Sequence, residues 1–128
     1  MKRLFVIVLA AMMLTACSQK NEAHKEAVYM NITAQEAKVI MESSEGYVIL
    51  DVRTQEEFDQ GHIPGAILIP DTEVAERAEE VLTDKDQLIL VYCRSGRRSK
   101  LAAADLVELG YTNIKEFGGI LDWPYEVE

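Results

Sequence analysis

The sequence contains few of the residues from which cross-linked or metal-bound folds are built. Among its 128 residues there are two cysteines, two histidines and three prolines. Two cysteines are too few for a disulfide-rich scaffold, and the chain is long enough to bury a sizeable core without one. They could form one disulfide, contribute to a metal site or have separate roles, and their number does not distinguish these cases.

Basic residues are also scarce. There are 13 Lys and Arg against 22 Asp and Glu, which gives a formal net charge of -9 and an isoelectric point near 4.7. Nucleic-acid-binding domains normally present a basic face to the phosphates, so this composition argues against that class. The length suits one domain, and 48% hydrophobic residues is an ordinary content for a globular protein.

No uninterrupted apolar run is long enough to cross a membrane, but a shorter one lies at the amino terminus. Lys2 and Arg3 precede an uncharged run from residue 4 to 14, which ends in Thr15-Ala16-Cys17-Ser18. A transmembrane helix needs about 20 apolar residues. A basic start, an apolar stretch of this length and a small-residue ending are typical of a secretory signal.

The end of this segment, Leu14-Thr15-Ala16-Cys17, resembles the lipobox of bacterial lipoproteins. The resemblance implies a lipoprotein signal peptide over residues 1–16 and a lipidated Cys17, with polar residues 17–27 as a tether. We therefore expect secretion through the inner membrane and a lipid anchor on the periplasmic or cell-surface face of a bacterial membrane. The alternative is an ordinary cleaved signal in which the cysteine is incidental.

Residues 28–128 show the alternation of an α/β domain. Apolar runs rich in β-forming residues are interleaved with helical patterns, two of which start with a Thr-x-x-Glu capping box. Continuous apolar strands are typical of a parallel sheet covered on both faces. The predicted strands are 28–30, 47–50, 66–69, 88–92 and 114–117. The predicted helices are 33–43, 54–60, 72–82 with Asp71 as its cap, and a last helix that starts at 95 or 97 and ends at 109.

Two chemically active residues come directly after predicted strands, Asp51 and Cys93. Parallel strands carry ligand sites beyond their carboxyl ends, so both residues are expected at one edge of the sheet. Cys93 also opens the turn Cys93-Arg94-Ser95-Gly96-Arg97-Arg98 before a helix. Backbone amides at a helix start and nearby arginines favour an anion. The pKa of the Cys93 thiol is therefore expected below its usual value, which makes it a candidate nucleophile.

Several segments in order resemble a single-domain rhodanese. They are Asp51 to Phe58, Gly61 to Ala66, Val91 to Ser99, and Gly118-Gly119-Ile120 with Trp123. The resemblance implies a three-layer fold with a central, mostly parallel five-stranded sheet flanked by helices.

The same resemblance implies sulfurtransferase chemistry with Cys93 as the catalytic residue. Cys93 would take a sulfane sulfur from a small anionic donor such as thiosulfate, hold it as a persulfide and pass it to cyanide or a thiol. Arg94, Ser95, Gly96, Arg97 and Arg98 would form the substrate-binding loop, with Asp51 and Arg53 in supporting roles. No separate cofactor is implied, since the intermediate is covalent, and a protein sulfur donor or acceptor is an open alternative.

Other assignments are weaker. Phosphatases and arsenate reductases of related architecture place arginine six positions after the cysteine, where this chain has Ser99. A non-catalytic or protein-fed persulfide carrier remains an alternative, although the loop cysteine favours catalysis. No metal site is expected, because His24 and His62 lack ligand spacing. His62 is interpreted as part of a fixed turn, and Asp51 could equally be a strand-end cap or an ion-pair partner.

Overall fold

The computed structural model describes residues 28–128. The predicted signal peptide, Cys17 and the tether lie outside this range. The strands are β1 (Met30–Asn31), β2 (Val48–Asp51), β3 (Ile67–Leu68), β4 (Ile89–Cys93) and β5 (Ile114–Gly119). The helices are α1 (Ala34–Ser43), α2 (Gln55–Asp59), α3 (Val74–Val81) and α4 (Arg97–Glu108), with 3-10 turns at Asp71–Glu73 and Ile120–Asp122.

The five strands form one sheet in the order β1-β5-β4-β2-β3, and every pairing is parallel. The central strand β4 is buried along its whole length. This agrees with its continuous apolar sequence, because a strand covered on both faces excludes water from both sets of side chains. The predicted α/β fold with a five-stranded sheet is confirmed.

Successive side chains of the strands point to opposite faces and enter two separate cores. On one face Val91 and Cys93 pack with residues of α3 and α4, and on the other Leu90 and Tyr92 pack with α1 residues and the segment around Trp123. Each face is therefore covered, which gives the three layers expected from the sequence. Since Cys93 lies on the α4 face, the helix that follows it begins directly beside its sulfur.

The predicted helix starts are mostly right. Thr54 and Glu57 form a reciprocal capping box at α2, and the Thr33 hydroxyl accepts the Glu36 amide at α1. The prediction for Asp71 is wrong: Asp71–Glu73 forms a 3-10 turn and α3 begins only at Val74. Asp71 is already inside the 3-10 turn, and the residue that precedes α3 is Glu73, whose side chain makes no capping hydrogen bond.

Two predicted strands were too long. The first, predicted at 28–30, is Met30–Asn31, and the third, predicted at 66–69, is Ile67–Leu68. Both are edge strands with partly exposed side chains. Within residues 28–128, no helix combines the length and the apolar character that crossing a membrane requires.

Candidate active site

The turn from β4 to α4 surrounds the sulfur of Cys93 with backbone. Cys93 is the last residue of β4, and Gly96 precedes the first turn of the 12-residue helix α4. Gly96 has φ +106°, a left-handed conformation that favours glycine. In this conformation its N–H donates to Cys93 Sγ over 3.0 Å. Cys93 therefore lies at the carboxyl end of its strand, as predicted, and the Gly96 amide points toward its sulfur.

The pKa of Cys93 lies below its ordinary value. Burial of the sulfur is the largest influence and raises the pKa, since Cys93 is only 1% exposed. Hydrogen bonds from the Ser99 hydroxyl and amide and from the amides of Gly96 and Ser95 together outweigh it. The direction agrees with the expectation from the sequence, and the helix-start amides expected there are among the causes, together with the Ser99 hydroxyl, which was not expected.

The loop rests against the end of β5. A Cβ atom at Gly119 would lie 1.9 Å from the Arg94 carbonyl oxygen, so no side chain fits there. The Leu121 N–H donates to the same carbonyl over 3.2 Å. The segment Gly118-Gly119-Ile120 noted in the sequence therefore packs against the backbone of the loop at Arg94.

The three arginines of the loop have different surroundings. Arg94 and Arg97 are exposed, and neither forms an ion pair with a residue in the described range. Arg98 instead makes a two-pronged ion pair with Glu57 of α2, with distances of 2.7 and 2.9 Å. The hydrogen bonds from Arg98 lower the pKa of Glu57 to about 2. Two of the three arginines therefore have no carboxylate partner among residues 28–128, and the third ties the loop to α2.

Glu116 is a buried carboxylate that the sequence reasoning did not single out. Its side chain is 2% exposed and lies on β5 beneath the loop. It accepts the Ser99 hydroxyl at 2.6 Å and the Gly118 N–H at 2.8 Å, and lies 3.5 Å from Lys100 Nζ. The available signal was a charged residue inside a strand between the apolar Ile114 and Phe117.

Asp51 and Arg53 form a buried ion pair beside the loop. Arg53 donates to both Asp51 oxygens over 2.7 to 3.1 Å and to the Gly61 carbonyl over 2.7 Å. Burial opposes the charge of Arg53, but Asp51 outweighs it and raises the pKa of Arg53. The Tyr92 hydroxyl also donates to Asp51 over 2.6 Å. The Arg53 backbone N–H also donates to Asp51 Oδ1 over 2.9 Å. Asp51 therefore acts both as a cap at the end of its strand and as an ion-pair partner.

His62 contacts Glu128, at the carboxyl-terminal end of the chain, through both its ring and its backbone. Its ring stacks on Phe58 at 3.7 Å, and its Nε2 lies 3.2 Å from a Glu128 carboxylate oxygen. The backbones of His62 and Glu128 exchange two hydrogen bonds. These contacts fit the interpretation of a fixed turn.

An open groove of about 540 Å³ lies beside the loop. Its volume falls in the range of small-ligand sites. Arg94 borders it, and the chain end supplies its apolar side. Its charged and polar lining is Arg53, Glu57, Gln60 and Arg94, and its apolar lining is Ile120, Leu121, Trp123, Tyr125 and Val127.

Comparison with known proteins places this geometry in a family. The rhodanese-like domain family matches residues 33–125. The Escherichia coli (strain K12) protein named thiosulfate sulfurtransferase PspE is 44% identical over 73 residues, which are 57% of this chain and 70% of that protein. The Bacillus subtilis (strain 168) protein named putative sulfur carrier protein YrkF is 39% identical over 98 residues, which are 76% of this chain. The chain spans about half of that relative, 52% of its length.

Solved structures agree. A rhodanese with anions from E. coli is 39% identical with a TM-score of 0.60, covering 64% of this chain and 96% of that one. A rhodanese-like domain from Anabaena sp. is 28% identical with a TM-score of 0.72, covering 79% and 80%. The residues that match the family model include strands β2 to β5 and the loop that follows β4. The chain therefore belongs to the rhodanese-like domain family, which includes relatives named sulfurtransferases.

Proposed function

We propose that the protein is a sulfurtransferase that moves a sulfane sulfur from thiosulfate or a similar donor to cyanide or a thiol. The intermediate is a persulfide on Cys93. The observation that carries the proposal is the sulfur of Cys93 at the focus of the loop, 3.0 Å from the Gly96 amide and with a lowered thiol pKa. A thiolate is the form of cysteine that attacks sulfur.

In the first half-reaction, the Cys93 thiolate attacks the outer sulfur of thiosulfate. A new S–S bond forms, the S–S bond of thiosulfate breaks, and sulfite leaves with its electron pair. The outer sulfur of the resulting persulfide lies about 2 Å beyond Sγ. Arg94 and Arg97 supply the positive charge that attracts the dianionic donor.

In the second half-reaction, an acceptor nucleophile attacks the outer sulfur and Cys93 leaves as the thiolate. Cyanide becomes thiocyanate, and a thiolate becomes a persulfide. The groove beside Arg94 supports a thiol acceptor, because its apolar wall offers contacts that a two-atom anion cannot fill. Two displacements at one cysteine predict ping-pong kinetics.

Mass spectrometry tests the intermediate directly. The detergent-solubilised full chain, incubated with thiosulfate, is expected to gain one sulfur atom on the Cys93 peptide and to lose it to cyanide. Cys93→Ser should gain none, whereas Cys17→Ser is the matched control and should gain it normally. If Cys93 stays unmodified with thiosulfate and with organic persulfides, the proposal is wrong.

A protein-fed carrier is the second candidate. It is supported by the relative named putative sulfur carrier and by exposed Leu121, Tyr125 and Val127 beside the loop. Apolar side chains grouped on a surface are typical of protein contacts. This candidate predicts that a persulfidated protein donor loads Cys93 much faster than thiosulfate does. Equal or faster loading by thiosulfate would exclude it.

We also propose that the protein acts at a bacterial membrane, held by lipid on Cys17 after removal of residues 1–16. The support is the sequence pattern Leu14-Thr15-Ala16-Cys17. Acyl chains anchor a protein stably when two or more are present. Cys17→Ser is expected in the soluble fraction of cells, with the unaltered protein in membranes after a salt wash. Recovery of both proteins in the same fraction would refute the anchor.

A further inference from the structure

His62 is joined to the segment that forms one wall of the groove beside the loop. Tyr125 and Val127 of this segment border the groove, and so does Gly61, the residue before His62. A Cβ atom at Gly61 would lie 4.0 Å from the Val127 side chain. His62 Nε2 lies 3.2 Å from Glu128 Oε1. The two parts of the chain therefore meet at the border of the groove, and the contact between His62 and Glu128 joins them there.

The end of this wall depends on His62 for its position. Residues 123–128 form neither helix nor strand, and the side chains that follow Trp123 are exposed. Trp123 is buried and its Nε1 donates to the Glu126 carbonyl over 3.0 Å, which fixes the start of the segment. Within residues 28–128, the hydrogen bonds that reach Glu128 come from His62 and from the Gly65 amide at 3.3 Å. Loss of the His62 ring contact should therefore loosen the wall at its far end.

Both ring nitrogens of His62 face atoms that only accept hydrogen bonds. Nδ1 lies 3.0 Å from the Phe58 carbonyl oxygen, and Nε2 faces the Glu128 carboxylate. A neutral imidazole carries a proton on one nitrogen, so it can donate to only one of these two acceptors. The imidazolium form donates to both and also pairs with the charge of Glu128. Both contacts are therefore complete only when His62 is protonated.

We propose, on the basis of the sulfur transfer proposed above, that His62 is a positioning residue that favours thiols over cyanide as the acceptor. When His62 is protonated, it holds Tyr125 and Val127 in the groove wall, where they contact the apolar body of a thiol. Cyanide has no such body, so its attack on the persulfide does not depend on this wall. Protonation of His62 therefore raises the rate with an apolar thiol and leaves the rate with cyanide unchanged.

Among residues 28–128, His62 faces one carboxylate, that of Glu128. Arg53 donates to the carbonyl of Gly61 but is neutralised by Asp51. The other charged groups on the elements around His62 and the segment have different surroundings. Glu57 pairs with Arg98, Asp59 accepts from Gln55, Lys38 lies over the Tyr125 ring at 5.4 Å, and Glu56, Asp122 and Glu126 are exposed. Replacing Glu128 therefore removes the one charge with which His62 pairs.

The experiment compares two acceptors on the persulfidated full chain carrying Cys17→Ser, called the parent protein. The acceptors are 2-phenylethanethiol and cyanide, with rate constants expressed per thiolate and per cyanide ion. Taking the ratio of the two rate constants cancels any effect of pH on Cys93 that both reactions share. The ratio of thiol to cyanide should fall about two- to threefold between about pH 5.5 and about pH 8, because histidine loses its charge in this range and exposed ion pairs are modest in strength.

Glu128→Gln removes the charge but keeps a partner for the ring. The glutamine amide accepts from a protonated His62 and donates to a neutral one, so the ratio should change with pH by less than half as much as in the parent protein. Glu126→Gln is the matched control, because Glu126 is an exposed carboxylate on the same segment, and this variant should keep the full change. A ratio that is constant with pH in the parent protein, or an equal fall in Glu128→Gln, would overturn the inference.

Hydrogen exchange of the Glu128 amide tests the same contact without sulfur transfer. This amide donates to the His62 carbonyl over 2.8 Å. Its protection factor, corrected for the intrinsic exchange rate at each pH, should fall about two- to threefold in the parent protein and stay nearly constant in Glu128→Gln. Protection that does not change with pH in the parent protein refutes the inference whether or not thiosulfate loads Cys93. Absence of loading, with the expected fall in protection, refutes the proposed function and leaves the hold of His62 on the wall established.

Discussion

The ion pair between Arg98 and Glu57 fastens the start of α4 to α2, and its contribution to stability can be measured. The perturbation is Glu57→Gln. Glutamine still completes the capping box with Thr54, so the change removes the charge while leaving the helix start intact. The two-pronged contact, at 2.7 and 2.9 Å, is reduced to a single hydrogen bond from the charged Arg98 to the glutamine amide oxygen, because the amide NH2 group cannot accept.

The magnitude follows from the pKa of Glu57. A displacement from 4.5 to about 2 corresponds to about 3 kcal/mol at most. The side chains of Arg98 and Glu57 retain 21% and 26% of their exposure, so solvent screening lowers the contribution to about 1–2 kcal/mol. Because the pKa is lowered in the folded state, this stability is fully present above about pH 4.5 and is lost as pH falls through about 2.

The assay is urea unfolding followed by the fluorescence of Trp123, the single tryptophan, which is 9% exposed in the folded protein. At pH 7 the variant should have a free energy of unfolding about 1–2 kcal/mol below that of the unaltered protein. The gap should narrow between pH 4.5 and 2.

The matched control is Glu73→Gln, which breaks the exposed pair with Arg77 at 3.4 Å. Pairs of this kind contribute about 0.3–0.5 kcal/mol. Equal effects of Glu57→Gln and Glu73→Gln at pH 7, or a gap that persists at pH 2, would show that the pair does not fasten the loop.

Three further outcomes are expected. Gly119→Ala should abolish sulfur loading while the domain still unfolds cooperatively in urea. The new Cβ would lie 1.9 Å from the Arg94 carbonyl oxygen and would push the loop away; normal loading would contradict this close packing. Asp51→Asn should lower the free energy of unfolding by about 3–5 kcal/mol, since it leaves the 5%-exposed Arg53 without its counter-charge; a loss below 1 kcal/mol would refute the pairing. Alkylation of Cys93 by iodoacetamide should have a pH midpoint below about 8.5, and a midpoint at or above this value would contradict the lowered pKa.

The elements predicted best are those whose local sequence and final environment agree. Strand β4 is apolar at every position before Cys93 and is buried on both faces, so pattern and packing give the same answer. The loop after it was recognised because its glycine and arginines are contiguous. Strand β3 was overestimated because an apolar run does not reveal that its strand pairs on one side only.

The contacts that organise the site were not predictable in the same way. Arg98 and Glu57 are 41 positions apart, and Ser99 and Glu116 are 17 apart. Such pairs form because the order of the strands in the sheet brings α2 and β5 to the two sides of the loop. A single sequence does not reveal this order, so it does not predict which side chains become partners. Glu57 was therefore interpreted only as a helix cap, and Arg98 only as an anion ligand.

The loop is held at several separate points: by Gly119 below Arg94, by the Leu121 amide, by Glu116 through Ser99, and by Glu57 through Arg98. These restraints are expected to hold the turn nearly fixed when Cys93 gains the sulfur atom of the proposed persulfide. The free and persulfidated forms should therefore superimpose closely in the backbone of residues 93–98. If the proposed sulfur transfer holds, the same restraints would oppose the widening of the loop that the centre of a larger tetrahedral anion would need to approach Sγ, and the rigidity of the loop would contribute to the choice of substrate.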